Sequence, residues 1–78
     1  MKWTIKSIRT NLNLNQQQMA EKLGVSRETY QNYETYKTFP DVPIIKKIIE
    51  LSKIDFNDIV FLPSEYAESE EKQEQNDN

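Results

Sequence analysis

The chain holds no cysteine, no histidine and a single glycine in 78 residues, with three prolines and one tryptophan. Without thiols there is no disulfide framework of the kind that supports small secreted domains, and no thiol nucleophile. Without imidazole there is no side chain whose unperturbed charge changes near neutrality, and no zinc site of the His/Cys kind. One glycine cannot build a phosphate-cradling loop, and no pair of carboxylates stands where a shifted pKa would be expected, so catalysis is not expected. Long apolar runs are missing as well. Nothing approaches the ~18 residues of a membrane span, and the N-terminal MKWTIKSIRT lacks the apolar block of a signal peptide. The length suits one domain with a modest core, since domains of ~60 residues hide roughly 60% of their unfolded surface. The expectation is a soluble, cytoplasmic, single-domain protein with no cofactor, metal, membrane or small-molecule ligand.

Positive charge is also scarce: 10 Lys plus Arg stand against 13 Asp plus Glu, a net of -3. That balance weighs against a polyanionic partner, because phosphate binding is driven by Lys and Arg. Position changes the reading. From Ser64 onward six carboxylates accompany one lysine, a net of -5, while the preceding residues carry nine bases and seven acids, a net of +2. The stretch SEYAESEEKQEQNDN has one aromatic, one alanine and no Leu, Ile or Val, so it cannot bury enough surface to offset its ordering entropy. Residues 1–63 are therefore expected to fold, and residues 64–78 to form a disordered acidic tail that aids solubility or, alternatively, repels or mimics nucleic acid.

Within the folded part, apolar spacing and capping residues predict short helices joined by short loops. Ile5, Ile8 and Leu12 follow a helical period after Thr4, a capping residue, and Asn11 to Asn13 offer the exit, because Asn tolerates the left-handed backbone. Asn15 and Gln18 have the spacing of a capping box, Met19, Ala20 and Leu23 form an inner face, and Gly24 supplies the next exit. Ser26 caps a third helix from Arg27 to Glu34 or Thr35. With Arg27 at zero and 100° per residue, Tyr30 and Tyr33 fall at about 300° and 240°, facing inward. Gln31, Glu28 and Asn32 fall at about 40°, 100° and 140°, facing outward with Arg27, and Thr29 lies on the flank. Asp41 caps a fourth helix with Pro43 in its first turn, and Ile44, Ile45, Ile48, Ile49 and Leu51 make it strongly amphipathic, with Lys46, Lys47 and Glu50 on the wet side. A last helix, FNDIVF, is expected after Asp55. The fold class is all-α, a compact bundle of about five short helices, with no alternating run long enough for a sheet.

The second and third helices carry a specific register. Counted from Gln16, the fifth position is the small Ala20, the ninth is Gly24, and Met19, Leu23, Val25, Tyr30 and Tyr33 fill the apolar fourth, eighth, tenth, fifteenth and eighteenth. A helix-turn-helix needs this pattern so that one helix can pack closely across the other. The stretch LNQQQMAEKLGVSRETYQNYE, and more loosely residues 5–61, resembles the Cro/cI (Xre-type) family of phage and bacterial repressors. That resemblance implies a lambda-repressor-like domain, DNA binding through the second and third helices, and a homodimer on a pseudo-palindromic operator. It also implies a structural pair between Arg9 and Glu34 that neutralises Glu34 near the phosphates. The chain departs from the family in reading Glu34, Thr35, Tyr36 where many relatives place a glycine soon after the glutamate. It also has Tyr30 and Tyr33 at usually aliphatic positions, with hydroxyls that must reach solvent or a partner.

The expected function is that of a sequence-specific DNA-binding transcriptional regulator, a phage or prophage repressor or Cro-like switch protein. Its third helix would enter the major groove of double-stranded DNA. Arg27 would meet guanine O6 and N7, Gln31 or Asn32 adenine N6 and N7, and Glu28 the cytosine amino group, while rejecting wrong sites. Asn15, Gln16, Ser26, Lys37 and Thr38 would hold the backbone, and Lys6 and Lys22 more weakly, with Gln16 at a positive helix N-terminus. Phe56, Val60, Phe61 and Leu62 offer either a dimer patch or core. The alternative is a protein-binding adaptor or antirepressor that keeps the fold without operator binding.

Overall fold

Each helix begins on a side chain that satisfies the backbone amides left free at its start. In the computed structural model, which describes residues 2–61, the elements are α1 (Ile5–Asn11), α2 (Gln16–Leu23), α3 (Arg27–Glu34) and α4 (Val42–Ser52), followed by one 3-10 turn, Phe56–Asp58. Thr4 Oγ1 accepts from the Ser7 amide at 3.0 Å while Ser7 Oγ accepts from the Thr4 amide at 2.9 Å, closing a capping box. The same reciprocal pair joins Asn15 and Gln18 at 2.7 and 2.9 Å. Ser26 Oγ accepts from the Thr29 amide, and Asp41 from the Ile44 amide. Leu62, Pro63 and the expected tail at 64–78 lie outside the described residues.

The helix ends show what the shortage of glycine costs. Among the described residues four have left-handed backbone, Asn13, Gly24, Tyr36 and Lys53, with φ between 60° and 76°, and one of the four is glycine. After α1, α2 and α3 the amides close back in the same paired way: Leu14 to Arg9 and Asn13 to Thr10, Val25 to Ala20 and Gly24 to Glu21, Lys37 to Asn32 and Tyr36 to Tyr33. This is the Schellman arrangement, which satisfies otherwise orphaned carbonyls. The missing glycine after Glu34 thus does not abolish the left-handed exit; Tyr36 makes it. A non-glycine residue there costs on the order of 1 kcal/mol or more. The Tyr36 hydroxyl donates to the Val60 carbonyl at 2.9 Å and its ring packs partly against the core, which offsets that cost.

The core joins Ile5 and Ile8 of α1, Met19, Ala20 and Leu23 of α2, Tyr30 and Tyr33 of α3, and Ile44, Ile45 and Ile48 of α4. Trp3 and Leu12 pack at its margin. The all-α class holds, with no strand among the described residues, but the fifth helix does not form as expected. FNDIVF gives only the 3-10 turn, and Ile59 leaves it extended at φ -110° and ψ 136°. Trp3 pairs there as a parallel bridge: its amide donates to Asp58 at 2.7 Å, and the Val60 amide donates to Trp3 at 2.8 Å. Two β-branched residues beside an open backbone partner favour extension over another helical turn. Extension also sends Ile59, Val60 and Phe61 into the core, so Val60 and Phe61 serve packing, while Phe56 stays exposed.

Candidate nucleic-acid interface

The placement of α3 starts at Ala20. This residue is fully buried where α2 meets α3, and a larger side chain there would separate the helices. Gly24 turns the chain, Val25 packs at the margin of the core, and Ser26 restarts it as α3. Lys47 of α4, read as merely wet, also donates to the Leu23 carbonyl at 3.3 Å, placing positive charge at the C-terminal end of α2.

Tyr30 and Tyr33 anchor α3 from beneath, their rings edge to face with centroids 6.4 Å apart. On the opposite side Arg27, Glu28 and Gln31 are exposed and Asn32 is half-buried. These four polar side chains share one outward face of α3. Lys37 and Thr38 are exposed just beyond the helix, and Asn15 and Ser26 stand at the two helix starts with their side-chain oxygens engaged in capping. Capping leaves both residues at the surface, but it commits their oxygens to the protein's own amides.

Under this face lies a buried polar hub that the outward pattern did not reveal. Glu34, with its side chain 6% exposed, pairs with Arg9 Nε at 2.5 Å. The same carboxylate accepts from the Tyr30 hydroxyl at 2.6 Å and from Gln16 Nε2 at 3.0 Å. Arg9 also donates to the Leu14 carbonyl at 3.0 Å, tying α1 to the approach of α2. Burial by itself opposes ionisation of Glu34, but hydrogen bonds from Arg9, Tyr30 and Gln16 together with the Arg9 charge outweigh it and hold the carboxyl below its usual value. Arg9 is driven further toward its charged form, chiefly by its bond to Glu34. Burial, and then the bond to Glu34, push the Tyr30 phenol well above its usual range, so it remains a donor. Burial also raises Tyr33, with Asp41 adding to the effect.

Gln16 also links this hub to the head of α3. Its oxygen accepts from Arg27 Nη2 at 3.4 Å while its nitrogen faces Glu34. Sequence spacing gave no hint of this because the three residues belong to separate turns. At the start of α2 the Gln18 amide is taken by Asn15, and the amides of Gln16 and Gln17 precede the first intrahelical bond.

Comparison with protein families matches residues 5–59 to a helix-turn-helix model. No curated protein and no solved structure matches the chain. Among the described residues, no helix is long and apolar enough to cross a membrane.

Proposed function

The chain belongs to the Cro/cI-type, Xre-like helix-turn-helix family of DNA-binding regulators, and from that membership we propose that it is a sequence-specific repressor or Cro-like switch protein. The observation that carries this reading is the polar face of α3, with Arg27, Glu28 and Gln31 exposed and Asn32 beside them, above two buried tyrosines. A helix so presented fits the major groove, where each base pair offers a distinct set of donors and acceptors. Arg27 reads guanine, Gln31 or Asn32 reads adenine, and Glu28 accepts from cytosine and repels mispositioned phosphate. Gln16 and Ser26 bring backbone amides to the phosphates, Asn15, whose own amide is taken by Gln18, brings its side-chain nitrogen, and Lys37 and Thr38 hold the strand beyond α3.

The protein acts as a homodimer on a pseudo-palindromic operator, since one small body of net charge +2 has few cations to spend on phosphate. Phe39, Val42 and Phe56, all about half exposed or more, supply apolar surface for such a contact, with Phe56 stacked on Phe61. Residues 64–78 add negative charge without contributing to reading.

Titration of duplex DNA by fluorescence anisotropy at rising salt tests the function. For about four phosphate contacts the affinity falls roughly a hundredfold between ~50 and ~200 mM salt. Arg27→Ala and Asn32→Ala each remove base preference while the melting temperature stays close to the parent's. No retention on DNA at low salt would contradict the reading and favour a protein-binding adaptor.

A further inference from the structure

We infer that Tyr36 is a positioning residue for DNA-backbone contact: its hydroxyl, bound to the Val60 carbonyl, holds the left-handed turn that presents Lys37 and Thr38 beyond α3. This inference rests on the assignment of Lys37 to phosphate. It gives a residue that itself touches no DNA a measurable part in binding.

The backbone makes the first demand. Tyr36 has φ 60°, where the Cβ of an L-residue crowds the following carbonyl, so glycine or asparagine is the usual choice just past a helix. With Tyr36 turned this way, the Lys37 amide reaches back to the Asn32 carbonyl at 2.9 Å and the Thr38 amide, more distantly, to the same oxygen at 3.4 Å. At a negative φ the chain would leave α3 in another direction, and Lys37 would leave with it. One torsion that tyrosine does not favour therefore places both residues against the end of α3.

A tether meets that demand. The Tyr36 hydroxyl donates to the Val60 carbonyl at 2.9 Å, 24 residues along the chain, and the ring packs partly against the core. The acceptor is itself fixed, since Val60 is 1% exposed and its amide donates to the Trp3 carbonyl at 2.8 Å. At the other end of the loop Pro40 is fully buried. Lys37, Thr38 and Phe39 stand exposed between these two anchors. A cation on a loop anchored at both ends has less freedom to lose on meeting a phosphate than one on a free loop.

This role is separable from packing. A phosphate contact carries no sequence information, so losing the placement weakens binding to every duplex alike and leaves base preference intact. It also removes one contact from the salt dependence, whose slope counts the phosphates neutralised. Loss of core packing alone lowers the melting temperature and leaves that slope where it was.

The test measures affinity against salt for the full chain, well below its melting temperature, on a selected duplex and its single-base variants. The proteins are the parent, Tyr36→Phe, Tyr36→Gly, Lys37→Ala and the double variant Tyr36→Phe with Lys37→Ala. Lys37→Ala is expected to weaken binding alike on all duplexes and to lower the magnitude of the slope by about 1. Tyr36→Phe keeps the ring and the crowded Cβ but loses the tether. It is expected to lower the slope by a similar amount and the affinity by about three- to tenfold on every duplex, with no further drop in slope in the Lys37→Ala background. Tyr36→Gly turns left-handed without a tether and is expected to recover the parent's slope, although it removes more of the packing. The parent's slope in Tyr36→Phe would overturn the inference, as would an equal further drop in the Lys37→Ala background. A slope in Tyr36→Gly as low as in Tyr36→Phe would also overturn it, by assigning the effect to packing. If Lys37→Ala keeps the parent's slope, the phosphate assignment fails and the inference with it; if only the Tyr36 effects are absent, that assignment stands.

Discussion

Glu34 gathers donors from three helices, Arg9 of α1, Gln16 of α2 and Tyr30 of α3, on one buried carboxylate. Its folded-state pKa lies below the ordinary carboxylate value, so its stabilisation is fully present above the unfolded value and is lost as pH falls through the folded one. Acid unfolding followed by circular dichroism should therefore show a step below pH 4.5 that Glu34→Gln removes. That variant should also lose about 3 kcal/mol at neutral pH, because Arg9 keeps its charge in a mostly buried site without the opposing carboxylate. The Arg9 pairing was legible only through resemblance to a family, since 25 residues separate the partners. The Tyr30 hydroxyl was known to need a partner, but periodicity gives the face of a helix and not the identity of the group waiting there. Tyr36 was legible as a missing glycine. What replaces the glycine's freedom, a hydroxyl bound to the Val60 carbonyl, depends on a strand-like ending the spacing did not predict. Tyr36→Phe should cost about 1 kcal/mol in urea unfolding, since that carbonyl loses its donor.

At the scale of elements, all four α-helices could be read from caps and apolar period, because those signals are local. Thr4, Asn15, Ser26 and Asp41 each stand where a backbone amide needs an acceptor, and each is the N-cap. The last segment failed for the opposite reason. Phe56, Ile59 and Val60 suit a helical face, but the backbone of Trp3, more than 50 residues away in sequence, offers a better arrangement for Ile59 and Val60. Local pattern carries no information about such a partner. The crossing of α2 and α3 is more legible, because it hangs on one small residue. Ala20→Leu should destabilise the fold by about 1 to 3 kcal/mol by overpacking, and should also weaken DNA binding beyond what the lost folded fraction explains. Unchanged thermal stability would mean that the helices do not meet as closely as a fully buried alanine requires.

For the whole molecule, charge is divided rather than uniform. The body that carries the proposed reading face has a net charge of +2, while residues 64–78 hold -5. Composition revealed this division, but it could not reveal that Glu34, one of the body's carboxylates, is neutralised by Arg9 beneath the polar face of α3. Removal of residues 64–78 should leave the melting temperature unchanged and DNA binding equal or tighter, because phosphate no longer meets the added negative charge. Weaker binding after truncation would assign that segment to dimer assembly. The proposed dimer would be written in the spacing of its target: a symmetric pair of reading helices demands half-sites ~34 Å apart, one turn of DNA. Selection of bound sequences from a random duplex pool by the full chain tests the central claim most directly. The account predicts enrichment of two inverted half-sites at that spacing, each with a guanine whose preference Arg27→Ala removes; a pool that remains random after repeated selection would contradict it.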